Sequence, residues 1–130
     1  MLEELNARMA AAETRVCKAV FPNTTNHYDT LFGGTALQWM DEVAFICATR
    51  FSRARVVTVS SDRVDFHRPI PSGSIVELVA TVKRIGRSSL QIQVDIFREE
   101  MFSPVREQVI TGTFTFVAVD ENKKPIPLID

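Results

Sequence analysis

The chain has 130 residues, of which 45% are hydrophobic and 24% charged, as is typical of a single globular domain. Its net charge of −1 gives no overall attraction for nucleic acid or an anionic membrane, so an anionic ligand would need a local cluster of cations. The sequence has two cysteines without metal-type spacing, and it shows neither an apolar run of roughly 20 residues nor a signal-like N-terminus. These features predict one cytoplasmic domain over residues 1–130. Neither a nucleic-acid partner nor a membrane partner is expected.

A short helix, a strand and a loop are predicted at the start of the chain. Residues 2–13 combine helix-forming residues with Leu and Met at helical spacing. The next segment, TRVCKAVF, alternates its side chains as a strand does. PNTTNHYDT follows and is rich in turn and capping residues, which predicts a loop.

A long apolar helix is predicted from Ala36 to about Phe51, because neither Gly nor Pro interrupts this segment. Gly33 and Gly34 are expected to break the preceding loop, and Thr35 is expected to cap the first turn. Apolar residues occupy most of the helix circumference, which indicates a helix buried on several sides.

Four long strands are predicted after this helix: ARVVTVSSDRVDFHRPI, SIVELVATVKRI, LQIQVDIFRE and REQVITGTFTFVAVD. Successive strands joined by short turns such as RPIPSGS and GRSS favour an antiparallel sheet. Residues 121–130 contain two prolines and are predicted to form an extended tail on the surface. The order predicts an α+β fold in which a curved antiparallel sheet of about five strands wraps a long central helix.

Two carboxylates interrupt the long helix. Asp41 lies at the rim of its apolar face, where an unpaired buried carboxylate would cost several kcal/mol, whereas Glu42 lies on the polar face and is interpreted as solvated. Asp41 is therefore either a functional group or an exposed partner of a basic residue. Gly33 and Gly34 would let a ligand approach the free N–H groups of the helix start, unless they form a plain loop-to-helix turn. A carboxylate about two turns from such donors suits hydrolysis of an activated acyl group, such as a thioester.

Several other chemistries have little support in the sequence. No G-x-S-x-G or Walker A motif occurs, and the two histidines and two cysteines have no metal-ligand spacing, so no metal site is expected. His67 is interpreted as an exposed histidine at a strand end, because nothing nearby defines a catalytic partner. Cys47 is interpreted as a small buried thiol and not as a nucleophile.

The motifs FGGTALQWMDEVAF, RVVTVSSDRVDFHRPIPSGSIVEL and GRSSLQIQVDIF, in this order, resemble the hotdog-fold acyl-CoA thioesterases. The nearest branch is that of the bacterial YciA-type hydrolases and the brain cytosolic acyl-CoA hydrolase, and the similarity runs from about Val16 to Pro127. The resemblance implies a long helix wrapped by an antiparallel sheet and dimers joined through edge strands. It also implies hexamers that are trimers of dimers, with active sites between two subunits. No cofactor is implied, since coenzyme A is both substrate and product.

The resemblance also implies a set of catalytic residues. Asp41 matches the catalytic carboxylate, acting as a general base on water or as a nucleophile. Gly34 and Gly33 match the backbone donors for the thioester oxygen. A polar residue from the preceding loop of the opposite subunit usually assists, and the candidates here are Asn26, Asp29 and Thr30. Thr30 stands where the family commonly has Asn or Asp.

Coenzyme A carries phosphates, which a nearly neutral protein must bind with local cations. The segments RFSRAR and KRIGRSS supply arginines and hydroxyls at predicted strand ends, and the implied fold places the start of the first long strand beside the pantetheine. The expected coenzyme A-binding residues are Arg55, Val57, Thr58, Arg84, Arg87, Ser88 and Ser89.

These features predict an enzyme that converts acyl-CoA and water to a carboxylic acid and coenzyme A. A hotdog dehydratase or hydratase is an alternative, but such enzymes need a histidine with a carboxylate and His27 lacks that context. A non-catalytic acyl-CoA-binding sensor is another, although the roughly 15 residues before the fold are too few for a DNA-binding helix-turn-helix. A purely structural module would leave Asp41 unexplained.

Overall fold

The computed structural model describes residues 1–129 and contains two helices and five strands. In chain order these are α1 (Leu2–Ala12), β1 (Thr14–Ala19), α2 (Gly33–Ser52), β2 (Val56–Phe66), β3 (Ser74–Ile85), β4 (Ser89–Glu100) and β5 (Arg106–Ala118). A short 3₁₀ helix, Pro22–Thr24, lies in the loop before α2. The predicted α+β architecture is confirmed, and neither helix of the described residues is long and apolar enough to cross a membrane.

The five strands form one antiparallel sheet in the order β1-β3-β4-β5-β2. The segment RPIPSGS was predicted as a turn between successive strands, but β2 pairs with β5 at one edge and β3 lies on the far side of the sheet. This segment therefore connects strands that are not neighbours. Turn chemistry indicates where a strand ends, but it carries no information about which strand pairs with it.

The core lies between α2 and the concave face of the sheet. Met40, Ala44 and Cys47 of α2 are fully buried, as are Ile92 of β4 and Phe116 of β5. Helix α2 is buried on several sides, as predicted, but one side is open, where Phe45 is 47% and Ile46 is 41% exposed. The sheet curves round the helix without enclosing it, and this open side positions the site described below.

Helix α2 begins at Gly33 and not at Ala36 as predicted. Phe32 is the residue before the first turn, no side chain caps the helix there, and the amide of Ala36 donates to the carbonyl of Phe32 over 3.0 Å. A backbone hydrogen bond holds the chain just before the helix instead, since the Leu31 amide donates to Ile70 O over 2.7 Å. These tertiary contacts override the low helix propensity of glycine.

Two arginines link α1 to the end of α2. Arg50 of α2 donates to Ala11 O, Glu13 O and Thr14 Oγ1 over 2.8 to 2.9 Å, so it satisfies carbonyls at the end of α1. Arg8 of α1 donates to Phe51 O over 2.7 Å and so satisfies a carbonyl at the end of α2.

Replacing Arg50 by Met should destabilise the fold by about 1–2 kcal/mol, because the aliphatic stem remains while three charge-assisted hydrogen bonds are lost. Chemical denaturation at one fixed protein concentration measures this. The matched control is Arg68→Met, which removes an exposed ion pair with Glu107 at 3.6 Å and should change stability by under about 0.5 kcal/mol. Equal effects of the two variants would contradict the capping role.

The C-terminal tail returns to the sheet. The Ile126 amide donates to Ala118 O and the Leu128 amide donates to Arg87 O, each over 2.9 Å, and the Leu128 side chain is buried. The tail predicted over residues 121–130 is therefore anchored, and it does not simply lie along the surface. Asp130 lies outside the described residues.

Candidate active site

The carboxylate of Asp41 is held by a hydroxyl from the edge strand β2. Thr58 Oγ1 donates to Asp41 Oδ1 over 2.9 Å. Successive side chains of a strand point to opposite faces, and Val56 is buried in the core, so the side chain of Thr58 also points towards α2. The pair lies where α2 and the edge of the sheet meet.

Two clefts meet at this Asp41–Thr58 pair. The first, of about 430 Å³, leads towards the start of α2 and is here called the helix-start cleft. Its other lining residues are Gly34, Leu37, Gln38, Val59, Ser60, Ser61 and Phe114. The second, of about 390 Å³, leads the other way along α2 and is lined by Glu42, Phe45 and Ile46; it is here called the Phe45 cleft.

The start of α2 offers backbone donors to the helix-start cleft. The first amides of a helix have no partner within it, and Gly33 and Gly34 occupy the first two helical positions. Apart from its chain neighbours and the nearby backbone of α2, a Cβ on Gly34 would meet no atom of the described residues within 4 Å, so a ligand could approach this backbone closely. A Cβ on Gly33 would lie 3.8 Å from the Phe66 ring. Gly34 thus suits the expected oxyanion donor better than Gly33 does.

The loop before α2 does not reach these clefts within one chain. Asn26 Oδ1 accepts from the Thr30 hydroxyl over 3.1 Å, the Thr30 amide over 3.2 Å and the Tyr28 amide over 2.9 Å. Thr30 lines a separate cavity of about 270 Å³ beside His67. The loop candidates Asn26, Asp29 and Thr30 were expected to act from the opposite subunit, and that expectation stays a prediction.

The expected coenzyme A-binding residues collect at one end of the sheet. Val57, Val117 and Ser89 lie opposite one another across β2, β5 and β4. Ser88 O accepts from the Ala118 amide over 2.8 Å, and Arg55 O accepts from the Val119 amide over 2.9 Å. Arg84 and Arg87 are exposed at the turn between β3 and β4, and neither forms an ion pair within residues 1–129. Thr58 was expected to lie beside the pantetheine, and its hydroxyl contact with Asp41 was not foreseen.

The other nucleophilic and metal-binding candidates stay apart from the clefts. His67 is exposed just beyond β2, and Cys47 is buried in the core. No group of three His, Cys, Asp or Glu side chains able to hold a metal ion occurs in the part of the chain that the structure describes.

Burial raises the pKa of the Cys47 thiol to about 11. Since the thiolate is the reactive form, Cys47 should resist a small thiol reagent at pH 8 until the protein unfolds. The exposed Cys17 should react first, although partial burial and Glu77 raise its pKa as well. Titration should give one rapid equivalent per chain and a second in denaturant. Two rapid equivalents in the native protein would contradict the burial of Cys47.

Replacing Thr58 by Val should lower kcat for thioester hydrolysis about tenfold, because the carboxylate loses the donor that orients it while the side-chain volume is retained. A hydrogen bond to a charged group contributes about 1.5–3 kcal/mol, and the exposure of this contact favours the lower end. Thr58→Ser keeps the hydroxyl and should recover most of the rate. Steady-state kinetics separate this effect from KM. An unchanged kcat in Thr58→Val would show that the contact has no catalytic consequence.

Comparisons with known proteins identify the family of this chain. The family model of the thioesterase superfamily matches residues 28–102. The relative YkhA of Bacillus subtilis, named as an uncharacterized acyl-CoA thioester hydrolase, is 40% identical over 92% of this chain and 74% of its own length.

Solved structures show the same fold. An acyl-CoA hydrolase from Staphylococcus aureus, in complex with butyryl coenzyme A, coenzyme A and coenzyme A disulfide, matches with a TM-score of 0.88 and 39% identity over 92% of this chain and 73% of that one. Structures of alanine variants of that enzyme at an aspartate, a threonine and an asparagine match equally well. An apo-hexameric acyl-CoA thioesterase matches with a TM-score of 0.89 and 34% identity over 92% of this chain and 76% of that one. The chain therefore belongs to the thioesterase superfamily and, within it, to the hotdog-fold acyl-CoA thioesterases.

Proposed function

We propose that this chain hydrolyses the thioester of acyl-CoA, giving a carboxylic acid and free coenzyme A. The observation that carries the proposal is the Asp41–Thr58 pair, which lies between two clefts, one of which Gly34 at the helix start also lines. A positioned carboxylate near backbone N–H donors is what acyl transfer to water requires. The named activity of the relatives supports the same reaction.

In the proposed reaction, Asp41 and the backbone N–H groups at the helix start have separate roles. Acting as general base, Asp41 takes a proton from water while the water oxygen bonds to the thioester carbon. The negative charge that develops on the thioester oxygen is stabilised by the N–H of Gly34, with Gly33 as a second candidate. The carbon–sulfur bond then breaks, and coenzyme A leaves as a thiolate that accepts a proton. Acting as nucleophile, Asp41 would instead form an anhydride that water cleaves to the same products.

The spacing of three residues supports these assignments. The asparagine, aspartate and threonine replaced in the Staphylococcus aureus variants stand 15 and 17 positions apart, as do Asn26, Asp41 and Thr58 in this chain. Asn26 is therefore the favoured loop residue, supplied by a second subunit. Thr30, whose hydroxyl donates to Asn26 Oδ1, would then position Asn26.

The proposal includes a closed oligomer of single hotdog domains. Strand β2 is an edge strand with exposed apolar side chains, among them Val57, Val59 and Phe66, and an unpaired edge is a ready pairing surface. Pairing of two β2 edges would form the dimer, and hexameric relatives support a trimer of such dimers. Arg55, Arg84 and Arg87, with Ser88 and Ser89, would hold the coenzyme A phosphates. We place this activity in the cytoplasm, in fatty acid metabolism.

A thiol-release assay on a panel of acyl-CoAs from acetyl to palmitoyl tests the proposed function. Free coenzyme A should appear at a rate proportional to enzyme concentration. Calorimetric binding of an acyl-CoA that is recovered intact would identify the chain as a non-catalytic sensor. Conversion of an enoyl-CoA to its hydroxyacyl-CoA, without thiol release, would identify a hydratase.

A further inference from the structure

The open side of α2 carries apolar side chains that the core does not use. Phe45 and Ile46 are 47% and 41% exposed, although the adjacent Ala44 and Cys47 are fully buried. Glu42 is exposed one turn before Ile46, on the same side of the helix. Together with Asp41, these three residues form part of the open surface of α2.

A third cleft lies on the far side of these residues. It has a volume of about 220 Å³ and lies between α2 and strands β1 and β3; it is here called the Trp39 cleft. Glu42 and Ile46 line both this cleft and the Phe45 cleft, so they form a ridge between the two. The other lining residues of the Trp39 cleft are Val16, Lys18, Trp39, Val43 and Leu78.

The clefts differ in chemistry. Gln38, Ser60 and Ser61 give the helix-start cleft polar groups that suit the amide-containing pantetheine arm. The Phe45 cleft is instead lined by Phe45 and Ile46 next to the Asp41–Thr58 pair, which suits the acyl chain of the same substrate. Its volume of about 390 Å³ falls within the range of small-ligand pockets.

The ridge opposes further extension of an apolar chain. Ile46 places a branched side chain between the two clefts, and Glu42 adds a carboxylate that accepts from Gln38 Nε2 over 3.4 Å. An acyl chain that crosses the ridge must displace water from this carboxylate, which is costly. Beyond the ridge, the Lys18 ammonium lies 5.1 Å from the centre of the Trp39 ring and restricts the apolar cleft there.

We infer that the ridge formed by Glu42 and Ile46 sets the acyl chain length that this site accepts. Chains that end within the Phe45 cleft are favoured, and longer chains must cross the ridge into the Trp39 cleft. The inference rests on the proposed function, because it names the acyl class of the same site. The assigned substrates are therefore short- to medium-chain acyl-CoAs, with long-chain acyl-CoAs disfavoured.

Opposite changes to the ridge test this inference. Ile46→Ala and Glu42→Gln should each raise the ratio of kcat/KM for palmitoyl-CoA to kcat/KM for butyryl-CoA by about tenfold, and Ile46→Trp should lower it by a similar factor. Phe102→Ala is the matched control, since Phe102 is a 99% exposed aromatic residue at the turn between β4 and β5, outside these clefts. The control should leave the ratio unchanged.

Binding measured without turnover separates this inference from the proposed function. In calorimetric titration with non-hydrolysable thioether analogues of coenzyme A, the palmitoyl analogue should bind more tightly relative to the butyryl analogue in Ile46→Ala and Glu42→Gln, and less tightly in Ile46→Trp. If these shifts occur but no variant or wild-type protein releases thiol, the ridge assignment stands and the proposed function is wrong. If thiol is released but both ratios stay within twofold in Ile46→Ala and Ile46→Trp, or shift equally in Phe102→Ala, the inference is overturned.

Discussion

Replacing Asp41 by Asn is expected to lower kcat/KM for acyl-CoA by about 10²–10⁴-fold. The amide keeps the size of the side chain and an oxygen that can still accept from Thr58 Oγ1, now 2.9 Å from Asp41 Oδ1. It cannot take a proton from water at neutral pH, and it is a poor nucleophile. The loss should therefore appear mainly in kcat, with KM nearly unchanged.

The control for Asp41→Asn is Glu4→Gln, which neutralises an exposed helix carboxylate outside the clefts that contain Asp41. Its kinetics should match those of the wild type, and both variants should keep the wild-type circular dichroism spectrum and oligomeric state. A fully active Asp41→Asn enzyme would mean that another group performs the catalysis.

Replacing Phe116 by Ala is expected to cost about 3–5 kcal/mol of unfolding free energy. Phe116 is fully buried on β5, where it lies opposite Leu90 of β4 and Thr58 of β2. Removing its ring leaves a cavity next to the strand that carries Thr58, so hydrolysis should weaken as well. The expected loss is a large part of the 5–15 kcal/mol that stabilises a typical domain.

Denaturant unfolding of Phe116→Ala should be measured at the same protein concentration as the wild type, because self-association adds to apparent stability. Phe102→Ala provides the matched control: it removes the same side chain from a position that is 99% exposed, so its cost should be under about 0.5 kcal/mol. A loss below 1 kcal/mol for Phe116→Ala would show that this part of the core is not packed as described.

The alternating apolar pattern of the sequence predicts the strands well. SIVELVATVKRI coincides with β3, Ser74–Ile85, and LQIQVDIFRE falls within β4, Ser89–Glu100. Alternation reveals which face of a strand is buried, but it does not reveal which strand lies beside it. For that reason the pairing of β2 with β5 could not be predicted from the pattern.

Local signals also failed where tertiary contacts decide the outcome. Two glycines predicted a break before the helix, yet backbone hydrogen bonds on either side draw them into the first turn of α2. The apolar circumference predicted that α2 is buried on several sides, but it could not show that Phe45 faces an open cleft. An apolar side chain that contacts ligand and one that fills the core look alike in a sequence.

Asp41 could be singled out because a carboxylate is unusual within an apolar helix. The Thr58 hydroxyl could not, since threonine is an ordinary strand residue, although its even spacing from the buried Val56 places it on the inner face. The assisting residue of the loop stays a prediction. It is expected to come from a second subunit, and no pattern within one chain specifies the distance between Asn26 and the Asp41 of another.

Analysis of the products by mass spectrometry tests the central claim most directly. Purified wild-type protein incubated with butyryl-CoA in ¹⁸O-labelled water should yield equal amounts of coenzyme A and butyrate, with one labelled oxygen in the acid after many turnovers. Asp41→Asn at the same concentration should yield little of either product. Intact butyryl-CoA recovered from the wild-type reaction, or equal product formation by Asp41→Asn, would contradict hydrolysis at this site.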